Sequence, residues 1–178
     1  EFMTHITQSI KRSQSILSNF QDLYKDSTKT ERINIEELLN EVFTLTKSET
    51  RSTVRLIEYT DGTNSEITIN TNPTWLAQIF FNLIVNSSQA MKINQTQNPE
   101  IKILISASNN KLVMSFSDNG PGIPENKLCN IFDPFYTTKD DGNGLGLAIS
   151  KKLSEKLNGE LIYIPSKTGA CFRLEITL

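Results

Sequence analysis

Apolar positions recur with a helical period at the start of the chain. Residues 4–25 contain no Gly or Pro. Within them, a mostly apolar set recurs at alternating steps of four and three residues: Ile6, Ile10, Ser13, Leu17, Phe20 and Tyr24. This heptad spacing favours a helix that pairs with another helix, although a single amphipathic helix packed on its own domain would show much the same stripe. Polar residues 26–32 predict a hinge. We therefore expect a helix and hinge over residues 1–30 and a globular domain over residues 31–178.

Beyond the hinge, helical and strand-like patterns follow one another without regular alternation. Helical periodicity predicts helices over residues 36–47, 75–92 and 145–157. Alternating or continuous apolar runs predict strands over residues 33–35, 54–59, 66–70, 101–108, 112–117, 160–164 and 171–178. Residues 61–64 and Asn109-Asn110 have the composition of hairpin turns. This order predicts an α+β fold, in which helices cover one face of a mixed or antiparallel sheet.

Composition narrows the classes of ligand. The chain has 178 residues, which suffices for one well-cored domain and an appendage. Its formal net charge is −2 and no predicted element carries a cluster of Lys and Arg, so we expect no nucleic-acid partner. No apolar run approaches the roughly 20 residues of a membrane span, so we expect no membrane contact by this segment. Cys129 and Cys171 have no metal-ligand spacing and suit a reducing cytoplasm.

Two glycine-containing segments are candidates for binding a nucleotide. Residues 117–124 place Asp118 beside Gly120 and Gly122, and residues 142–146 contain three alternating glycines. Glycine lets the backbone approach a ligand closely, so the two loops suggest a nucleotide held by backbone amides and one carboxylate. Either loop alone is more often an ordinary turn.

The predicted helix over residues 75–92 is apolar nearly all round, yet it carries a row of carboxamides at Gln78, Asn82, Asn86 and Gln89. Buried carboxamides need partners, which a polar ligand or the neighbouring backbone would supply equally well. The neutral oxygen of Asn86 suits Mg²⁺, which takes its other oxygens from water and phosphates.

Four segments in this order resemble a known family. Residues 82–90, the Asp118-x-Gly-x-Gly sequence, residues 131–139 and the loop over residues 142–146 are similar to the N, G1, F and G2 boxes of the sensor histidine kinases. The resemblance covers roughly residues 33–178. It implies the Bergerat fold, a two-layer α/β sandwich that gyrase, MutL and the ninety-kilodalton heat-shock chaperones share. Its sheet would be mixed and mostly antiparallel.

The resemblance also implies a role for each matched residue. Asp118 would accept a hydrogen bond from the adenine amino group, and Asn86 would coordinate Mg²⁺. Gln89 stands where relatives often have a basic phosphate contact, so Lys92 or Lys139 would supply that charge. We expect Asn82, Asn86 and Lys139 to form the catalytic set. The expected ATP contacts are Asn82, Asn86, Gln89, Ala90, Asp118, Gly120, Gly122, Ile123, Phe132, Thr137, Thr138, Lys139, Gly142, Gly144, Leu145, Gly146, Leu147 and Phe172.

Two departures accompany the match. Ser87 follows Asn86 where the family usually has alanine, a small-for-small change that we expect to be harmless. Ala170 stands where relatives often carry a threonine near adenine, so we expect a modestly lower affinity for the base.

The reaction that the resemblance implies is transfer of the γ-phosphoryl group of ATP to a histidine on a helical hairpin. His5 is the only histidine, and it lacks the following acid and the proline of the family's acceptor segment. We therefore expect residues 1–30 to be the second helix of the dimerisation hairpin and the acceptor to lie elsewhere. The expected partners are that hairpin, a response regulator receiver domain and a second copy through the N-terminal helix. We expect a cytoplasmic location, either free or as part of a membrane-bound sensor.

Two alternatives remain open at this point. A degenerate module could bind nucleotide and dimerise without transferring phosphate. Another ATPase of the same fold, from a topoisomerase, a mismatch-repair protein or a chaperone, would share the two glycine loops. The segment over residues 132–139 favours the histidine kinase version.

Overall fold

The structure, a computed structural model, describes residues 29–60, 67–139 and 142–178. The helix predicted over residues 4–25 and the turn predicted over residues 61–64 therefore lie outside the described residues. The described elements, in chain order, are β1 Glu31–Asn34, α1 Ile35–Leu45, β2 Val54–Tyr59, β3 Thr68–Thr71, α2 Pro73–Ile93, β4 Glu100–Ser108, β5 Lys111–Asp118, a 3₁₀ helix Glu125–Asn130, α3 Gly146–Lys156, β6 Gly159–Tyr163 and β7 Cys171–Thr177.

The main sheet has five strands in the order β2-β4-β5-β7-β6. The pair β2 and β4 is parallel, and the other three pairs are antiparallel. A separate small sheet consists of β1 and β3, which are antiparallel. The predicted mixed, mostly antiparallel sheet of an α+β fold is therefore confirmed.

One of the two predicted hairpins forms and the other does not. β4 and β5 pair around Asn109 and Asn110, whose φ angles of 50° and 60° are those of a tight hairpin turn. The hairpin predicted between residues 54–59 and 66–70 was wrong, because β2 pairs with β4 and β3 pairs with β1. The prediction paired the two strands because they are neighbours in the sequence. The observed pairings join strands that are far apart in the sequence, and Ile69 of β3 is buried in the core.

The core lies between the main sheet and the helices. Alternate residues of β4 and β5 point toward the helices, and the buried ones are Ile101, Ile103, Ile105, Leu112, Met114 and Phe116. The long helix α2 packs against both strands and against α1 and α3. It starts at Pro73, and the side chain of its N-cap residue Asn72 accepts a hydrogen bond from the Trp75 N–H. Packing against the sheet therefore determines which face of α2 stays available for binding a ligand.

Helix α2 is less completely buried than its apolar sequence predicts. Phe81 remains 38% exposed, although its neighbour Phe80 is fully buried. The face that carries Phe81 also carries the carboxamides and borders a cavity. Among the described residues, no helix is long and apolar enough to cross a membrane.

Candidate functional site

A cavity of about 570 Å³ lies between α2, the loop after β5, residues 136–139 and 142–144, and the start of α3. We call residues 133–139 and 142–143 the lid. Most of the residues predicted as ATP contacts border this cavity: Asn82, Asn86, Gln89, Ala90, Asp118, Gly122, Ile123, Thr137, Thr138, Lys139, Gly142, Gly144, Gly146, Leu147 and Phe172. The two glycine loops and three of the four carboxamides, which are far apart in sequence, thus border one space.

Asp118 is the last residue of β5 and is buried at one end of the cavity. Its Oδ1 accepts hydrogen bonds from the backbone N–H groups of Gly120 at 2.9 Å and Ala170 at 3.1 Å. Within the described part of the chain, Oδ2 accepts no hydrogen bond. One oxygen is therefore held by the protein, and the other is available to an N–H donor of a ligand.

Two glycines allow the backbone to pack closely around this carboxylate. Gly169, in the turn between β6 and β7, has a φ of 66°, and an added Cβ would lie 1.7 Å from the carbonyl oxygen of Asp118. Gly122 has a φ of 72°, and its Cβ would lie 2.9 Å from the carbonyl oxygen of Gly169. Only glycine fits both positions. Gly169 was not among the predicted site residues.

Lys139 borders the other end of the cavity, nearer the start of α2: it reaches Asn86 and Gln89 from the lid, whereas the loop of Asp118 lies against Met91. Its Nζ donates to Asn86 Oδ1 at 3.1 Å and to Gln89 Oε1 at 2.8 Å. Burial lowers the pKa of Lys139 below its ordinary value, because removal from water disfavours the charged form. Of the two lysines proposed to supply charge beside Gln89, Lys139 lines the cavity and Lys92 does not.

Asn82 connects α2 to the start of α3. Its Nδ2 donates to the Gly146 carbonyl at 3.1 Å and to Ser150 Oγ at 3.0 Å. Its Oδ1 accepts from Gln78 Nε2 at 3.3 Å. The carboxamide row therefore has two parts. Gln78 and Asn82 form hydrogen bonds with each other and with α3. Asn86 and Gln89 direct their oxygens at a cation, the ammonium of Lys139.

The N-terminus of α3 faces the same end of the cavity. No side chain caps this helix, whose first residue is Gly146. A Cβ added at Gly146 would lie 3.6 Å from Asn86 Nδ2, so this helix end lies against α2. Backbone N–H groups at an uncapped helix start favour an anion. Together with Lys139 they make this end suited to phosphate.

The two ends of the lid meet at its base. Gly144 has a φ of 66°, and an added Cβ would lie 2.4 Å from the carbonyl carbon of Phe135. Phe135 itself has a φ of 68° and is 63% exposed. The residues over 131–135 and the second glycine loop are thus joined by direct backbone contact.

Three of the predicted contacts do not border the cavity. Gly120 contributes its N–H to Asp118, and Leu145 is buried in the core. Phe132 stands behind Phe172, with ring centroids 6.3 Å apart in an edge-to-face arrangement. These three residues lie behind the cavity wall and do not border the space itself.

Other residues border the cavity without having been predicted as contacts: Phe81, Val85, Ser87, Ile93, Asn94, Pro121, Pro124, Lys127, Ile131, Tyr136, Asn143 and Ala170. Phe81 and Val85 precede Asn82 and Asn86 by one position, so the helical spacing of the carboxamides could have identified them. Lys127 had no such signal, because its position depends on the path of the 3₁₀ helix.

A match to known proteins supports this geometry. The family model for histidine kinase-, DNA gyrase B- and HSP90-like ATPases matches residues 71–178. The chain belongs to this family. The matched residues include every element that borders the cavity, from α2 to β7.

Curated relatives within the family are histidine kinases. The chain is 38% identical over 104 residues to sensor histidine kinase TmoS of Ectopseudomonas mendocina, which covers 57% of this chain and 11% of TmoS. It is 31% identical over 182 residues to sporulation kinase C of Bacillus subtilis, which covers 100% of this chain and 41% of that kinase. The chain thus spans less than half the length of these relatives.

A solved structure gives the same assignment. The nucleotide-free catalytic domain of histidine kinase ThkA is 30% identical and matches with a TM-score of 0.73, over 84% of this chain and 95% of that domain. The resemblance to a histidine kinase catalytic domain and the expectation of the Bergerat fold are both confirmed. The family match also supports ATP as the ligand of the cavity.

The residues present fit a metal that is held mainly by the nucleotide. Among the described residues, no group of three or more His, Cys, Asp or Glu side chains forms a metal site. Asn86 Oδ1 lies on the cavity wall and already accepts a cationic donor, the ammonium of Lys139. Mg²⁺ readily combines a single protein oxygen with water and phosphate oxygens.

Proposed function

We propose that this chain is the ATP-binding catalytic domain of a two-component sensor histidine kinase. In this proposal it holds Mg·ATP so that the γ-phosphoryl group passes to a histidine on a separate helical hairpin. The observation that carries the proposal is the polarity of one cavity. A carboxylate with an available oxygen lies at one end, and a lysine with an uncapped helix N-terminus lies at the other.

Asp118 is proposed to select the base. Its Oδ2 would accept a hydrogen bond from the exocyclic amino group of adenine, while Oδ1 stays bonded to Gly120 and Ala170. A guanine in the same place would present a carbonyl oxygen to the carboxylate, and two acceptors facing each other leave both unsatisfied. The absence of a hydroxyl at Ala170 leaves this recognition to Asp118 and the backbone.

Lys139 and α3 are proposed to bind the phosphates. When the triphosphate enters, the ammonium of Lys139 can leave Asn86 and Gln89 for the more strongly attracting phosphate oxygens. Asn86 is then free to bind Mg²⁺, which would neutralise negative charge on the phosphates. Because phosphoryl transfer depends chiefly on positioning and electrostatic stabilisation, the catalytic set proposed is Asn82, Asn86 and Lys139.

The proposal extends to the rest of the chain and to its partners. Residues 1–30 are proposed to be the second helix of a dimerisation hairpin, through which two copies would associate, and residues 31–178 the catalytic domain. ThkA, which has been solved in complex with response regulator protein TrrA, matches this chain with a TM-score of 0.75 at 26% identity. A response regulator is therefore the proposed final acceptor, in the cytoplasm.

Mixing this chain with an isolated helical hairpin that carries the acceptor histidine, in the presence of Mg²⁺ and γ-labelled ATP, tests the function. We expect label on the hairpin histidine, and none when EDTA removes the metal. Asp118→Asn should reduce the label by at least about tenfold, because the amide cannot replace both acceptor oxygens. Glu160→Gln, on the exposed edge strand β6, is the matched control and should label as the wild type does. Binding of ATP without any label would instead identify a degenerate nucleotide-binding module.

A further inference from the structure

Asn119, the residue after Asp118, uses both halves of its carboxamide outside the cavity. Its Oδ1 accepts from the Glu100 N–H at 2.9 Å, and its Nδ2 donates to the Asn98 carbonyl at 2.9 Å. Its own backbone N–H donates to the Glu100 carbonyl at 3.3 Å. Asn119 thus ties the loop after β5 to the segment between α2 and β4, which we call the α2–β4 segment (residues 94–99).

The α2–β4 segment has a backbone that needs such a tie. Gln95 and Asn98 have φ angles of 52° and 48°, in the left-handed region that is unfavourable for glutamine and better tolerated by asparagine. Asn94 and the preceding Ile93 border the cavity. Release of the segment would therefore move a wall of the cavity next to the base-binding end.

Asn119 also fixes the peptide that orients Asp118. Of the two N–H groups that hold Asp118 Oδ1, one belongs to Ala170 and the other to Gly120, and the latter lies in the peptide unit that joins Asn119 to Gly120. Gly120 lies close to α2, since an added Cβ would be 3.1 Å from Met91 Cγ. By restraining this peptide unit, the hydrogen bonds made by Asn119 act on one of the two contacts that hold the carboxylate.

We propose that Asn119 is a positioning residue for base recognition, an inference that rests on the ATP-binding function proposed above. Asn119 itself does not border the cavity, so it would not touch a nucleotide bound there. It acts by holding Asp118 Oδ2 in a fixed direction. When that direction is lost, a base with an amino group and a base with a carbonyl group at the same position become harder to distinguish.

The carboxamide is the side chain that suits this position. It supplies one acceptor for the Glu100 N–H and one donor for the Asn98 carbonyl. Aspartate would keep the acceptor and lose the donor, whereas alanine would lose both. Because Asn119 is exposed, water can replace the lost partners, so these substitutions act locally and leave the core intact.

Titration calorimetry with Mg·ATP and Mg·GTP on the whole chain, together with thermal unfolding, tests the proposal. We expect Asn119→Ala to weaken ATP binding by about tenfold and to leave GTP binding unchanged, so that the selectivity for ATP falls. Asn119→Asp should give an intermediate selectivity. Asn40→Ala, an exposed asparagine on α1 far from the cavity, is the matched control and should keep the wild-type selectivity.

A wild-type ratio of ATP to GTP affinity in Asn119→Ala would overturn the proposal, even if both nucleotides bound more weakly, because uniform weakening reports only general stability. Amide exchange at Gly120, followed by NMR in the free protein, gives a second measurement that needs no nucleotide. We expect faster exchange in Asn119→Ala, and unchanged exchange would also overturn the proposal. Failure of the wild-type protein to bind either nucleotide would refute the proposed function instead.

Discussion

At the scale of single residues, buried polar groups are divided between those the protein satisfies and those it leaves for a ligand. Asp118, which borders the cavity, shows both cases in one carboxylate: Oδ1 is bonded to backbone amides, and Oδ2 has no hydrogen bond among the described residues. Ser88, on the sheet side of α2, belongs to neither case. Its buried Oγ has no hydrogen-bond partner among the described residues, and it does not border the cavity. An unsatisfied buried hydroxyl lowers stability.

Ser88→Ala is therefore expected to stabilise the protein, by about 1 kcal/mol, because it removes an unsatisfied polar atom from the core and adds a better helix former. Denaturant unfolding measures the effect. Ser154→Ala in α3 is the matched control, since Ser154 is equally buried but donates its Oγ–H to the Lys151 carbonyl at 2.7 Å. The control gains the same helix propensity and loses a hydrogen bond, so its free energy of unfolding should not rise. A lower stability for Ser88→Ala would contradict the prediction.

At the scale of elements, a few side chains fix how helices and strands meet. Tyr59 of β2 donates its hydroxyl hydrogen to Glu36 in the first turn of α1. Burial, and then the hydrogen bond and negative charge of Glu36, raise the pKa of Tyr59 above its ordinary value. The pair ties the edge of the main sheet to the helix that leads out of β1.

The pKa of Tyr59 predicts how this tie depends on pH. Because the folded-state pKa is raised, the stabilisation is fully present below the unfolded-state pKa of about 10 and is lost as pH rises above it. At neutral pH, Tyr59→Phe should lower the free energy of unfolding by about 1 kcal/mol, and the difference from the wild type should shrink above pH of about 10. Urea unfolding across pH 7 to about 11 measures this difference.

Tyr163→Phe provides the control for that series. The hydroxyl of Tyr163 makes no hydrogen bond within the part of the chain that the structure describes, and its ring packs edge-to-face on Phe172. The free energy of unfolding of Tyr163→Phe should therefore differ from that of the wild type by the same amount at each pH. A difference between wild type and Tyr59→Phe that does not change with pH would disprove the role assigned to the Glu36 hydrogen bond.

The lid base gives a second prediction at this scale. Gly144→Ala should destabilise the protein by at least about 1 kcal/mol, since a side chain with left-handed φ is unfavourable and the new Cβ would lie 2.4 Å from the Phe135 carbonyl carbon. Gly146→Ala, two residues later, is the matched control. Its Cβ would meet its nearest atom at 3.6 Å, in the first turn of α3, so its melting temperature should be unchanged or higher. Equal melting temperatures for the two variants would exclude a close contact at the lid base.

At the scale of the whole molecule, the cavity is assembled from segments far apart in sequence. α2 supplies Asn86, the loop after β5 supplies Asp118, and the lid, α3 and β7 complete the enclosure. A ligand that spans the cavity must therefore connect the helical layer with the sheet. Such a ligand stabilises the folded state as a whole, because unfolding separates all of these segments.

Thermal unfolding with nucleotide tests this connection. At a concentration of one hundred times its Kd, Mg·ATP should add about 2.7 kcal/mol to the free energy of unfolding, and the melting temperature should rise accordingly. Mg·GTP at the same concentration is the control and should give a smaller shift, since Asp118 would face a carbonyl oxygen. Equal shifts for the two nucleotides would show that Asp118 does not select the base.

Local sequence was sufficient for much of the fold and the site. The Asn109-Asn110 turn predicted its hairpin because two residues with positive φ define that turn by themselves. Helical periodicity over residues 75–92 predicted α2, and the glycine loops with Asp118 predicted the segments that line the cavity. Each of these signals depends on neighbouring residues or on one helical period, so the sequence alone was enough to determine it.

Tertiary structure decided the choices between partners. Whether β2 pairs with β3 or β4, whether Phe132 or Phe172 borders the cavity, and whether Lys92 or Lys139 reaches Gln89 all depend on contacts between distant segments. Asn119 belongs with them, because its partners Asn98 and Glu100 meet it only when β4 and β5 are paired. The free energies of these contacts cannot be predicted from a local sequence pattern, because they depend on how the sheet and the helices pack together.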